Sequence, residues 1–158
     1  MRNILIIGDC GSGKTWVMKQ VIKKVSAKER CKFNLIRFLK KDKLCLLGKY
    51  VGETFDGSDK LSMAVSRDFE KFNFFLKKNN YYCLCEGDRF TNKKFLLLFN
   101  PIVIRIKDNG ENGRKTRGSK QSEQHLKRIN TRVNNIKADI EVMNSTEALK
   151  KINEIIKI

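Results

Sequence analysis

The sequence predicts an α/β layered fold with a mostly parallel sheet, on three observations. Short apolar runs of strand length alternate with segments whose apolar residues recur at helical spacing. The first such run leads through a glycine-rich loop straight into a helix. The 158 residues hold one proline, Pro101, and neither an internal repeat nor a low-complexity tract, so one domain over 1–158 is expected.

The elements follow in order. "NILIIG" reads as a buried strand, and residues 14–27 as a helix with Val17, Val21, Ile22 and Val25 on one stripe. "KFNLIRF" and "KLCLLGKY" read as two short strands around "LKKDK", a hairpin-like pair. "GETFDGSDKLSM" is a loop feeding a helix that begins at Lys60. "SRDFEKFNFFLKKNN" is an amphipathic helix through Phe69, Phe72, Phe75 and Leu76, with Ser66 as candidate N-cap. "YYCLC" is a strand, "NKKFLLLF" a short helix and "PIVIRI" another strand. "KDNGENGRKTRGSK" is polar and glycine-rich and reads as a flexible loop, followed by a helix over "QSEQHLKRINTRVNNIK". "ADIEVM" is the last strand, and "NSTEALKKINEIIKI" the last helix, capped by Ser145 or Thr146.

Composition narrows the class. No apolar run reaches the roughly 20 residues that span a bilayer. The apolar run in "MRNILIIGD" is too short for a secretory signal, so a soluble cytoplasmic protein is expected. Cys10, Cys31, Cys45, Cys83 and Cys85 contain no C-x-x-C, and His125 is the only histidine, so metal-ligand spacing is missing. Cys83 and Cys85 sit on one face of a strand and read as core thiols. Lys and Arg number 34 against 17 Asp and Glu, a net charge of +17. Lys, Asn and Ile are all abundant, as expected from an A/T-rich gene, so solvated surface is the plainer reading of much of the lysine. A surface this positive also attracts nucleic acid by counterion release.

"GDCGSGKT" matches G-x-x-x-x-G-K-[ST] in full, between a strand and a helix. Gly8, Gly11 and Gly13 let backbone N–H groups converge on a phosphate at a helix N-terminus. Lys14 is placed to reach the β- and γ-phosphates, and the Thr15 hydroxyl to bind Mg²⁺. The expected nucleotide contacts are Gly8, Asp9, Cys10, Gly11, Ser12, Gly13, Lys14, Thr15 and Trp16, and ATP with Mg²⁺ is the expected ligand.

The N-K-x-D motif of a GTPase is absent. "YYCLC" instead runs into "EGDRF", where Glu86 stands as a Mg²⁺ acid, directly or through water. This layout suits a small P-loop kinase: a three-layer sandwich with a mostly parallel sheet and a basic lid. "DRF" resembles the Asp-Arg-aromatic signature of thymidylate kinases, which implies that Arg89 holds an acceptor phosphate; an Asp88–Arg89 pair bracing the loop is the plainer alternative. A lid is expected at about 108–137. Arg105 to Lys137 holds ten Lys and Arg against Asp108, Glu111 and Glu123, a local net of 10 − 3 = +7. Arg114, Arg117 and Arg128 are the candidate lid arginines, and Arg128 and Arg132 share a helix face. A solvated basic helix is the alternative.

Four segments together, "LGKY", "GETFDGSDKLSMAV", "EGDRF" and "RGSKQSEQHLKRINTRVNNI", are similar in order and spacing to the phage 5-hydroxymethyl-deoxyuridine DNA kinases. These are small P-loop kinases encoded beside thymine-hypermodification genes. The resemblance runs over residues 4–158. The phosphate loop is common to many families; "F-x-G-x-D-x-L-S-M" and "R-G-x-x-Q" are more specific. It implies a P-loop kinase fold, and ATP-dependent phosphorylation of the 5-hydroxymethyl group of uracil already in DNA, in the host cytoplasm.

Besides the phosphate loop, Asp59, Glu86, Asp88 and Arg89 carry over as motif positions. Asp59 is the first candidate for orienting or deprotonating the acceptor hydroxyl and Glu86 the second, with helix capping the alternative role for Asp59. Phe55, Tyr50 and Phe90 are candidate stacking groups. Lys60 and Ser62 are candidate phosphate contacts, and Gln121 a further substrate contact. A DNA partner accounts for the charge, with the target base either read in the major groove or extruded. The rival readings are a free deoxynucleotide kinase and a nucleotide-switched DNA-binding ATPase.

Overall fold

The computed structural model describes residues 1–53 and 56–158. β1 (Ile4–Gly8) feeds α1 (Lys14–Val25). β2 (Glu29–Phe33), β3 (Ile36–Lys41) and β4 (Leu44–Leu47) follow. Two 3₁₀ turns, Ser58–Lys60 and Met63–Asp68, lead into α2 (Phe69–Lys78). Next come β5 (Tyr82–Glu86), a 3₁₀ turn (Asp88–Phe90), α3 (Lys93–Phe99) and β6 (Ile102–Ile106). The chain ends with α4 (Glu111–Arg117), α5 (Glu123–Asn134), β7 (Ile140–Val142) and α6 (Ser145–Ile156).

One seven-stranded sheet runs in the order β2-β3-β4-β5-β1-β6-β7. The stretch from β4 to β7 is parallel, and β2 and β3 extend it as an antiparallel edge. The parallel strands are buried on both faces, which is why "ILIIG" and "LCLL" read as unbroken apolar runs. On one face Ile4, Ile6, Leu84 and Ile104 pack against Val17, Met18 and Val21 of α1 and Ala148, Ile152 and Ile156 of α6. On the other, Leu5, Ile7, Cys83, Cys85 and Val103 pack against α2, α3 and α5. Helices on both faces give three layers. Phe69, Phe72, Phe95 and Phe99 weld α2 to α3, with the Phe95 and Phe99 rings stacked 4.2 Å apart. Among the described residues no helix is long and apolar enough to cross a membrane.

Several local expectations are corrected. "KFNLIRF" is not one strand: Asn34 takes a left-handed φ of 50° and turns β2 into β3, so the expected pair is three strands. The loop after β6 contains a helix, α4, bounded by the left-handed glycines Gly110 and Gly118 and braced by a Glu111–Lys115 ion pair. Ser66 caps nothing; Ser62 caps the preceding 3₁₀ turn by accepting from the Ala64 N–H. The cap of α6 is Asn144, one residue before the expected Ser145 or Thr146. Cys45, Cys83 and Cys85 are core thiols, and burial pushes the Cys45 thiol up to about 12.

Candidate functional site

Pairing of β1 with β5 and β6 builds the site. The register sets Ile6 opposite Glu86 and Gly8 opposite Ile106. Both neighbouring strands therefore end beside the loop that leaves β1. The loop turns at Gly11 (φ 85°) and Gly13 (φ 92°), in the left-handed region that favours glycine. Gly13 caps α1 without a side-chain bond. The first N–H groups of that helix have no intrahelical acceptor, the arrangement that suits an anion. The Lys14 ammonium donates to the carbonyls of Gly8 at 2.9 Å and Asp9 at 2.7 Å, arched over the loop.

Glu86 closes the far side. The Thr15 hydroxyl donates to its Oε1 at 3.2 Å, and the Ser58 N–H to the same oxygen at 3.4 Å. The carboxyl is buried. Burial pushes its pKa up, the Lys14 charge draws it back, and the charge of Asp59 raises it again. A buried carboxylate held above its ordinary range, beside a hydroxyl, fits a cation site. A phosphate-bound Mg²⁺ needs few protein ligands because phosphate oxygens and water complete its shell. Thr15 and Glu86 are the residues that would hold it.

The segment around Ser58 passes very close to this carboxylate. A Cβ built on Gly57 would lie 2.5 Å from Glu86 Oε1, and one on Gly87 2.4 Å from Ser58 Oγ. The Ser58 and Ser12 hydroxyls are buried with no partner among the described residues. Asp59 is exposed beside Glu86 and makes no hydrogen bond or ion pair among the described residues. It is not an N-cap: Gly57 precedes the 3₁₀ turn, no side-chain cap forms, and no helix begins at Lys60. Lys60 pairs with Glu53 instead of standing free. Ser62 is an exposed cap. Phe55 lies outside the described residues.

Asp56 is a site residue that sequence reasoning missed. Buried, it accepts from the Val51 N–H at 3.1 Å and the Gly52 N–H at 2.8 Å and pairs with Lys19 of α1 at 3.3 Å. It fastens the acidic segment to the helix that carries Thr15. Nothing but its place in that segment marked it.

The basic region after β6 lands on the phosphate loop. A Cβ on Gly110 would meet the Cys10 carbonyl at 1.9 Å, and one on Gly113 the Gly11 carbonyl at 2.1 Å. Only glycines permit this contact. Arg114 donates to the Cys10 carbonyl at 2.6 Å and the Asn109 carbonyl at 2.8 Å. Asn130 of α5 donates to both Asp9 carboxylate oxygens, at 3.2 and 3.0 Å.

The other residues expected in a lid, and the remaining candidates, stand elsewhere. Arg117 is exposed and donates to Gly113 of its own helix. Arg128 is exposed and bonded to His125 at 3.0 Å, on the side of α5 that faces α3. Gln121 is exposed just before the Ser122 cap, and Trp16 is 43% exposed at the start of α1. Asp88 pairs with Arg132, not with Arg89, whose Nε donates to the Leu61 carbonyl at 3.2 Å. Phe90 is fully buried among Phe69 and Phe95, and Tyr50 bonds the Leu47 carbonyl at 3.2 Å. The site thus joins Lys14, Thr15, Glu86, Asp59 and Arg114, in an α/β protein whose glycine-rich loop leaves β1 at mid-sheet. A scan against models of known protein families finds no match, and a search of curated proteins finds none either.

Proposed function

We propose that this protein is a P-loop kinase that transfers the γ-phosphate of ATP to the 5-hydroxymethyl group of 5-hydroxymethyluracil in DNA. The observation that carries the reading is Glu86 of β5, 3.2 Å from the Thr15 hydroxyl of the phosphate loop, with exposed Asp59 on the segment that covers it.

Loop N–H groups and Lys14 hold the β- and γ-phosphates. Thr15 and Glu86 would hold Mg²⁺, which would supply charge neutralisation at the phosphates when bound. Asp59 accepts the proton of the acceptor hydroxyl as its oxygen bonds to the γ-phosphorus. The β–γ bridging bond breaks, and ADP leaves with the electron pair. Arg114, anchored over the loop, brings a guanidinium to the phosphates. Arg89 keeps its outer nitrogens available for an acceptor phosphate. The resemblance of "GETFDGSDKLSMAV" and "RGSKQSEQHL" to the phage DNA kinases supports the choice of acceptor, as does the charge of +17, which a free-nucleotide kinase does not need.

The test incubates the protein and Mg²⁺ with γ-labelled ATP and hydroxymethyluracil DNA, thymine DNA or free deoxynucleotides. Label enters the hydroxymethyluracil DNA alone. Transfer only to a free nucleotide overturns the acceptor assignment, and ADP release without transfer overturns the kinase reading.

A further inference from the structure

A cavity lies between α3 and α5, away from the phosphate loop, with a volume of about 750 Å³. Its floor is apolar: Leu96 of α3, Pro101 and Val103 at the start of β6, and Ile136 after α5. Its rim is cationic, with Arg2, Lys93, Arg128 and Lys137 exposed around the mouth. None of the four has an acidic partner among the described residues. Asp88 pairs with Arg132, and Glu141 with Arg105 and Lys107. Asp139 is the one carboxylate among the described lining residues; it accepts from the Val103 N–H, a bond that does not cancel its charge, and the four cations outnumber it. Arg105 also donates to the Val133 and Ile136 carbonyls, which fixes the end of α5 and the wall of the groove.

A solvated basic face needs no apolar trough, and an apolar ligand needs no ring of unpaired cations. A polyanion with flat apolar faces uses both. Single-stranded nucleic acid has this character, its backbone following the cations and its unstacked bases lying on the floor. A duplex keeps its bases stacked and offers the floor nothing.

We propose that the α3–α5 groove binds single-stranded DNA. The choice of DNA as the polyanion rests on the function proposed above. One side of α5 holds the phosphate loop through Asn130 and Asp9, while its other side, with Arg128, lines the groove. A strand in the groove therefore lies along a helix that also touches the nucleotide site.

Binding is measured without ATP, by fluorescence anisotropy of a labelled oligonucleotide as single strand and duplex, over a salt series. The Lys93→Ala/Lys137→Ala variant is compared with Lys77→Ala/Lys78→Ala, which removes equal charge from α2. Two lost contacts lower the single-strand salt slope by about 1.4, roughly a 25-fold weaker complex at about 0.1 M salt. The α2 variant stays near wild type, and thermal unfolding of both matches it. Equal weakening by the two variants, an unchanged slope, or tighter binding of duplex overturns the groove. These readings do not depend on phosphoryl transfer, so loss of the kinase reading and loss of the groove are separate results.

Discussion

Gly57→Ala tests how the covering segment sets the carboxylate. Gly57 has φ 108° and ψ −146°, a region almost confined to glycine, so alanine costs about 1–3 kcal/mol of stability. At this chain length that corresponds to a fall in Tm of roughly 2–12 °C. The second cost is positional. The new Cβ would stand 2.5 Å from Glu86 Oε1, whereas ordinary contact begins at 3.4 Å, so carboxylate or segment must retreat by 3.4 − 2.5 = 0.9 Å. A displacement of about 1 Å at a reacting centre lowers the rate by about 10²-fold, or roughly 2.7 kcal/mol of barrier. The control is Gly52→Ala, which also has a positive φ (89°) but nothing within 4 Å of its Cβ. The assay compares thermal unfolding with the initial rate of transfer, at a temperature where both variants are folded. Loss of stability in both and loss of rate only in Gly57→Ala is expected. Full rate in a folded Gly57→Ala protein refutes the claim that Glu86 must hold this position.

Further outcomes follow from the same geometry. Glu86→Gln keeps an acceptor for Thr15 and Ser58 but removes a buried charge, and weakens Mg²⁺ half-saturation by about 10- to 100-fold, read by titration of the rate. The Glu86 pKa is raised by burial, so wild-type stability from this group is present at acid pH and falls as pH rises through the folded value. Glu86→Gln is therefore the more stable protein at neutral pH in urea unfolding, and its advantage shrinks as pH falls toward the ordinary carboxylate range. Lys14→Ala abolishes transfer while circular dichroism stays unchanged, because Lys14 bonds only loop carbonyls. Asp59→Asn leaves Tm and ATP affinity near wild type and lowers the rate steeply; an active variant removes Asp59 from the mechanism. Gly113→Ala leaves the sheet intact but drives α4 off the phosphate loop, read as faster hydrogen exchange over 111–117.

Much of the frame was legible because its signals are local. Strands buried on both faces read as apolar runs, and the stripe Val17–Val21 reads as a helix. The G-x-x-x-x-G-K-[ST] spacing marks the loop between β1 and α1, and Glu86 stands out at the end of "YYCLC". What the sequence hid depends on tertiary contact. α4 was unreadable because Gly110, Gly113 and Gly118 signal a loop; packing on Cys10 and Gly11, with the Glu111–Lys115 pair, overrides that propensity. Arg132 as the partner of Asp88 and Lys19 as the partner of Asp56 are 44 and 37 positions apart in the chain, separations that no local pattern carries. The α3–α5 groove escaped for the same reason, since Arg2, Lys93, Arg128 and Lys137 meet only through the sheet.

The most direct measurement is label transfer from γ-labelled ATP to matched oligonucleotides, one with a single 5-hydroxymethyluracil and one with thymine in its place, alongside the free nucleotide. The predicted result is one phosphate per hydroxymethyluracil, none on thymine DNA, and none with Lys14→Ala. Equal labelling of the thymine strand, or labelling of the free nucleotide alone, would contradict it.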